Sequence, residues 1–203
     1  RLAAIYGFTL DETILEFIKT NRSLIKSLSY ERKKTELDKI LCRMEAIEGL
    51  NLLKRLRLLE TLEIDVPDDF VRTEDVLGCW AELRFADRYP FTKKERAKIE
   101  AIRKIVSGQK IDKITLFEHD LEDVLCAGEI MGYSREKIVG MVEAMPIHSP
   151  DDLALSNREL MEMLENDIPK MKSVKNDLIN RILSGNLLNS VEHIKIYIIE
   201  NWK

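Results

Sequence analysis

Glycine and proline are scarce in this 203-residue chain, eight and five residues respectively. With so few breakers, and with leucine, isoleucine, glutamate and lysine abundant, helices are favoured over strands. Cysteine is equally thin. Cys42, Cys79 and Cys126 are odd in number, far apart and set among apolar neighbours at helical spacing. That pattern reads as buried free thiols in a reducing compartment, not as a disulfide framework. No apolar run is long enough to cross a bilayer and no secretory signal is visible, so no membrane partner and a cytoplasmic location are expected. Excess positive charge is missing too: 32 lysines and arginines face 36 acidic residues, a formal net charge of −4. This argues against a generally basic nucleic-acid binder but leaves room for a local basic face. The chain opens at Arg1, in mid-helix by its pattern, which predicts a piece of a longer protein.

What is present reads as helix after helix. Thr9 with Glu12, Thr92 with Glu95, and Ser156 with Glu159 form capping-box patterns. Ser29 and Ser134 precede helical stripes as single caps, and Ser149-Pro150-Asp151-Asp152 combines a cap, proline at the first helical position and an acidic first turn. The stripe Leu37, Ile40, Leu41, Met44, Ile47 predicts one long second helix with a weak point at Gly49. Ile114 to Met131 predicts another, with Phe117, Leu121, Val124 and Leu125 inward and Gly132 as its stop. Gly108 is placed as a left-handed terminator, and Glu63 to Thr73 is the best candidate loop between units. No segment alternates as a strand would. The expectation is an all-α, elongated array of roughly ten short helices.

Several short stretches resemble one family. The opening from Arg1 to Phe8 (RLAAIYGF) is similar to the pattern R-F-A-x-x-L-G-F of class II tRNA nucleotidyltransferases, which include CCA-adding enzymes and poly(A) polymerases. Ser29 to Leu41, with Glu31, Arg32 and Glu36, resembles the neck pattern S-x-E-R-[IL]-x-x-E-[LF]-x-K-[IL]-L. Gly49 to Leu59 looks like the leucine-rich helix that follows the neck, Asp152-Leu153-Ala154 with Glu159-Leu160 like a D-L-A pattern, and Leu183 to Asn189 like the tail pattern L-x-G-x-[IL]-x-N. They occur in the family's order across nearly the whole chain. One departure is the stretch Ile168 to Ser173, where the family's P-G-P-x-I-G turn has lost its glycines.

The resemblance implies neck helices over residues 1–62, body helices over 63–148 and tail helices over 149–203. It implies tRNA as partner, gripped at the acceptor stem and T-loop corner. It also implies a separate amino-terminal head that carries the catalytic carboxylates and uses Mg²⁺ with CTP and ATP. None of that head's motifs lies in this chain, so neither cofactor nor catalytic residue is expected here; self-association is left open. Arg1, Glu31 and Glu36 are expected to support the nucleotide pocket. Arg32 and Lys33, and Lys170, Lys172, Lys175 and Arg181 farther on, are the candidate RNA contacts.

Read without the family, the same residues have plainer accounts. Arg32, Lys33, Lys34 and Lys39 alternate with Glu31, Glu36 and Asp38 as on a salt-bridged surface helix, and Arg32 and Glu36 are spaced to hold one another. Lys93, Lys94, Arg96 and Lys98 form a second basic first turn. His119-Asp120 invites a metal-phosphohydrolase reading, but the only other histidines, His148 and His193, are far downstream. Glu122, Asp123 and Glu129 read as a solvated face, and Trp80, Phe85, Tyr89 and Phe91 as core packing. The competing functions are a poly(A), A-adding or CC-adding specialist, and a helical protein–protein scaffold.

Overall fold

The structure, a computed structural model, describes residues 2–202. Thirteen α-helices lie among the described residues, with one two-stranded sheet. The all-α expectation holds, and the helices outnumber the ten read from the sequence.

The chain divides into two compact units. The first comprises residues 1–109 and 122–133. It contains α1 (Leu2–Tyr6), α2 (Glu12–Thr20), a 3-10 turn (Arg22–Ser27), α3 (Tyr30–Leu41), α4 (Ala46–Arg55), α5 (Leu59–Leu62), β1 (Ile64–Asp65), α6 (Val76–Glu82), β2 (Arg84–Phe85), α7 (Lys93–Ser107) and nearly all of α9 (Leu121–Ile130). The second comprises residues 110–121 and 134–203, with α8 (Lys113–Glu118), α10 (Arg135–Glu143), a 3-10 turn (Pro150–Asp152), α11 (Asn157–Met163), α12 (Ile168–Leu183) and α13 (Val191–Trp202).

The core of the first unit is built around Trp80 on α6, which has no exposed surface. Phe85 and Phe91 meet its ring edge-on at 5.2 and 5.1 Å, and Tyr89 lies tilted at 5.2 Å. The indole N–H donates to Asp38 Oδ1 on α3 at 2.7 Å, and the Tyr89 hydroxyl donates to the Leu62 carbonyl at 2.6 Å. These are the partners that buried Trp and Tyr require. Arg103 of α7 donates to the Ala81 and Leu83 carbonyls and so satisfies the open carboxyl end of α6. In the second unit α12 is central: it packs on α8, α11 and α13, with Val174, Leu178 and Ile182 buried on its inner face.

The caps at Ser29, Thr92, Ser134, Ser149 and Ser156 form as the sequence predicts, and Asp167 caps α12. Other expectations fail. The cap of α2 is Asp11, whose carboxylate accepts from the Thr13 amide, and Thr9 is not used. The long second helix stops at Leu41; Met44 lies 74% exposed beyond it, and Gly49 sits inside α4. The helix from Ile114 to Met131 is two helices. His119 turns extended between them, so Leu121 is exposed instead of inward. β1 and β2, with Ile64 opposite Phe85, are too short to show alternation. Gly108 stays right-handed, and Gln109 takes the left-handed conformation. Cys79 and Cys126 are buried, and burial pushes the Cys126 thiol up to about 12, but Cys42 is exposed.

Gly132 does end α9. At φ 76° it donates to the Glu129 carbonyl while Tyr133 donates to the Gly128 carbonyl, the paired bonds of a Schellman stop. Nothing would touch a Cβ there, so Gly132→Ala carries backbone strain alone. It should cost about 1–2 kcal/mol in a chemical-denaturation titration.

A second expectation concerns Glu82, which accepts from the Val71 amide through both carboxylate oxygens at 3.2 and 3.1 Å. Burial pushes its carboxyl up to about 7; the Val71 amide opposes the shift and nearby Asp69 adds to it. A carboxyl raised on folding contributes stability below its unfolded value, near 4.3, that is lost as pH climbs through about 7. Melting temperature should therefore fall from pH 5 to pH 8. Glu82→Gln should flatten that profile and melt higher than the parent chain at pH 8.

Candidate nucleic-acid interface

The candidate residues fall on two helices, one in each unit. On α3, Ser29 caps the helix by accepting from the Arg32 amide at 3.3 Å. The Glu31 carboxylate turns back onto its own amide and the Ser29 hydroxyl, which hold it below the usual carboxylate range. Glu31 is thus engaged with the helix start. Arg32 Nη2 reaches Glu36 Oε1 at 3.8 Å, the i,i+4 pairing its spacing predicts, and Lys39 Nζ joins the same oxygen at 2.9 Å. Arg32 is the exposed member, 67% open at its side chain. Lys33 turns inward and is buried, its ammonium 4.4 Å from the centroid of the Tyr30 ring. Lys34 is likewise enclosed, bonded to Asp38 at 2.9 Å and lying over Phe91. Arg1 lies outside the described residues.

On α12 the four cations divide. Lys175 donates to Asn157 Oδ1 at 2.9 Å, tying α12 to the start of α11, with Asp151 3.9 Å away. Arg181 donates through Nε to both oxygens of Asp177 and lies over the Tyr197 ring at 4.6 Å. The Tyr197 hydroxyl and the Trp202 indole donate to the same Asp177, joining α12 to α13. Lys170 is half-buried and Lys172 exposed, and neither has an ion pair among the described residues. The second basic turn divides in the same way. Arg96 donates to the Asp87 and Tyr89 carbonyls and Lys98 pairs with Asp75 at 2.9 Å, while Lys93 and Lys94 stay exposed.

Two of the motifs meet in the second unit. The Asn189 side chain donates to the Asp152 carbonyl at 2.8 Å and accepts from the Ala154 amide at 2.9 Å. Asp152 in turn accepts from the His148 and Ser149 amides. A side-chain amide used on both its polar atoms fixes one chain segment against another, so these motif residues hold the fold. His119 and Asp120 lie at the α8–α9 break. No group of three or more metal-ligating side chains converges among the described residues.

Residues 7–65 match the family described as "Probable RNA and SrmB- binding site of polymerase A". The CCA-adding enzyme of Bacillus subtilis is 23% identical across 96% of this chain. That of Lactococcus lactis subsp. cremoris is 26% identical across 80%. The chain is thus similar to CCA-adding enzymes over most of its length, and to the RNA-binding-site family over residues 7–65. The crystal structure of the Bacillus stearothermophilus CCA-adding enzyme in complex with CTP shares the fold: it superposes on 96% of the chain with a TM-score of 0.77 at 20% identity. The chain spans about half the length of the curated relatives it matches, 57% and 46%, and 57% of that solved chain. The nucleotidyltransferase patterns around Arg32 and Glu36 fall inside the matched RNA-binding segment. So do Lys19, Arg22, Lys26 and Arg57, which no single helical stripe links because they lie on α2, on the 3-10 turn and at the α4–α5 corner.

Because α12 bears most of the candidate contacts, its docking on α13 is the testable feature here. Burial works against the Asp177 charge, but donors from Tyr197, Trp202 and Arg181 outweigh it and hold the carboxyl below the usual range. A carboxyl lowered on folding contributes stability above its unfolded value, about 3.9, that is lost as pH falls below it. Tryptophan fluorescence from Trp202 should report loosening of α13 as pH drops below about 4. In Asp177→Asn the contact should already be weak at pH 7 and nearly pH-independent.

Proposed function

We propose that this chain is the tRNA-holding portion of a CCA-adding nucleotidyltransferase. The observation that carries the reading is an agreement: an RNA-binding-site family matches residues 7–65, and relatives named CCA-adding enzymes align across most of the chain. In this reading residues 1–62 act as neck, 63–148 as body and 149–203 as tail. Body and tail grip the acceptor stem and T-loop corner through shape and phosphate, which requires no base-reading side chains. Holding that corner fixes how far the growing 3′ end reaches, so the grip doubles as a ruler. Nucleotide addition, with Mg²⁺ and CTP or ATP, belongs to a head outside this chain. Arg1, Glu31 and Glu36 brace the side of the neck that faces the nucleotide. Arg32, Lys170 and Lys172 are the proposed phosphate contacts. Lys33, Lys175 and Arg181, engaged internally, set the helices that present them.

A second reading, a poly(A) polymerase or an A-adding or CC-adding enzyme with the same RNA grip, is favoured by the matched family's own description, which speaks of polymerase A. Product sequencing from the full-length enzyme separates the two.

The chain should bind a tRNA transcript in filter binding, with affinity falling steeply between low and moderate salt as phosphate contacts release counterions. A minihelix of acceptor and T arms should bind as well as whole tRNA, and an anticodon-arm hairpin should not. Alone, the chain should incorporate no CTP. Absence of tRNA binding at low salt would point to a protein–protein scaffold, and CTP incorporation would overturn the division of labour.

A further inference from the structure

We infer that a basic cleft in the first unit, formed where the end of α2, the 3-10 turn Arg22–Ser27 and the α4–α5 corner meet, binds a backbone phosphate of the RNA. The cleft has a volume of about 380 Å³. Lys19, Arg22, Lys26 and Arg57 line it against a single carboxylate, Glu60. Lys19 is partly neutralised by Glu16 at 2.7 Å. Arg22, Lys26 and Arg57 have no ion pair among the described residues. Three cations gathered around a concavity repel one another unless an anion joins them, and a concave positive surface focuses its field on phosphate.

Arg57 carries the strongest argument. It sits one residue past the end cap of α4 with φ 56°. It donates to the Lys54 carbonyl while Leu58 donates to the Leu53 carbonyl, the same Schellman stop that Gly132 makes for α9. A side chain in that conformation is strained. The pull between a cation and a helix carboxyl end is weaker than that strain. Helix capping therefore does not account for an arginine where glycine is cheaper, whereas a phosphate ligand does. All four cations fall within the residues matched to the RNA-binding family. The inference rests on the RNA-holding reading and assigns it a contact point that lies off α3 and α12.

The strain makes a clean test available, because Arg57→Gly removes the cation while relieving the backbone. In the whole 203-residue chain, Arg57→Gly should keep or raise the melting temperature. It should weaken binding of a tRNA transcript about five- to tenfold and lower the log–log salt slope by about one. Lys26→Ala should do the same to slope and affinity, and Lys113→Ala, on α8 of the other unit, should change neither. If the parent chain binds tRNA and Arg57→Gly matches it in affinity and slope, the cleft is not the contact, although the RNA-holding reading stands. If the parent chain binds no tRNA, both fall. Competition by CTP or pyrophosphate that Arg57→Gly abolishes would assign the cleft to free nucleotide phosphates and overturn the inference.

Discussion

The hydrogen bond from the Trp80 indole to Asp38 is the contact on which the first unit depends. Around that 2.7 Å bond three helices are tied together: Asp38 belongs to α3, Trp80 to α6, and the Asp38 carboxylate also takes Lys34, which reaches toward Glu95 of α7. The aromatic rings of Phe85, Tyr89 and Phe91 enclose the indole. An unpaired indole N–H in such a setting would cost about 1–3 kcal/mol, so Asp38 and Trp80 are fixed as a pair. The consequence for function lies on the other side of α3. With its inner face locked by Leu37, Asp38 and Leu41, the helix presents Arg32 and Glu36 outward with little freedom to rotate.

A division of labour among the cations follows from the same logic. Lys33, Lys34, Arg96, Lys98, Arg103, Lys175 and Arg181 are each engaged with a ring, a carbonyl or a carboxylate inside their own unit. Arg32 is only loosely paired, and Lys170, Lys172, Arg22, Lys26 and Arg57 have no ion pair among the described residues. The net charge of −4 therefore says little about what a polyanion would meet locally, because Arg22, Lys26 and Arg57 line one cleft with a single carboxylate.

What could be read from the sequence was what is local. The caps at Ser29, Thr92, Ser134 and Ser156 and the stop at Gly132 depend on residues within one turn of each other, and they stand where the spacing put them. The helix break at His119, the inward turn of Lys33 and the bonds from Asn189 to residues 152–154 were not legible. The Asn189 bonds join residues more than thirty positions apart, the break at His119 lies beside the change from one compact unit to the other, and the burial of Lys33 runs against the usual exposure of lysine. The candidate interface shows the same limit. Four lysines and arginines on one helix read as one cluster, yet two of them are consumed by tertiary partners. The basic cleft gathers cations from α2, a 3-10 turn and a helix corner that no periodicity links.

The path of the chain between its two units has a consequence of its own. It passes from the first to the second after Gln109, returns at Glu122 and leaves again after Tyr133. α9, with Val124, Leu125 and Ala127 buried, thus completes a unit whose other helices precede α8. No single scissile position yields two whole halves: a break at 109 strips the first unit of a core helix, and a break at 133 deprives the second of α8. Interleaved in this way, neither unit is a continuous stretch of chain, and grafting the first onto another protein would require two joints instead of one.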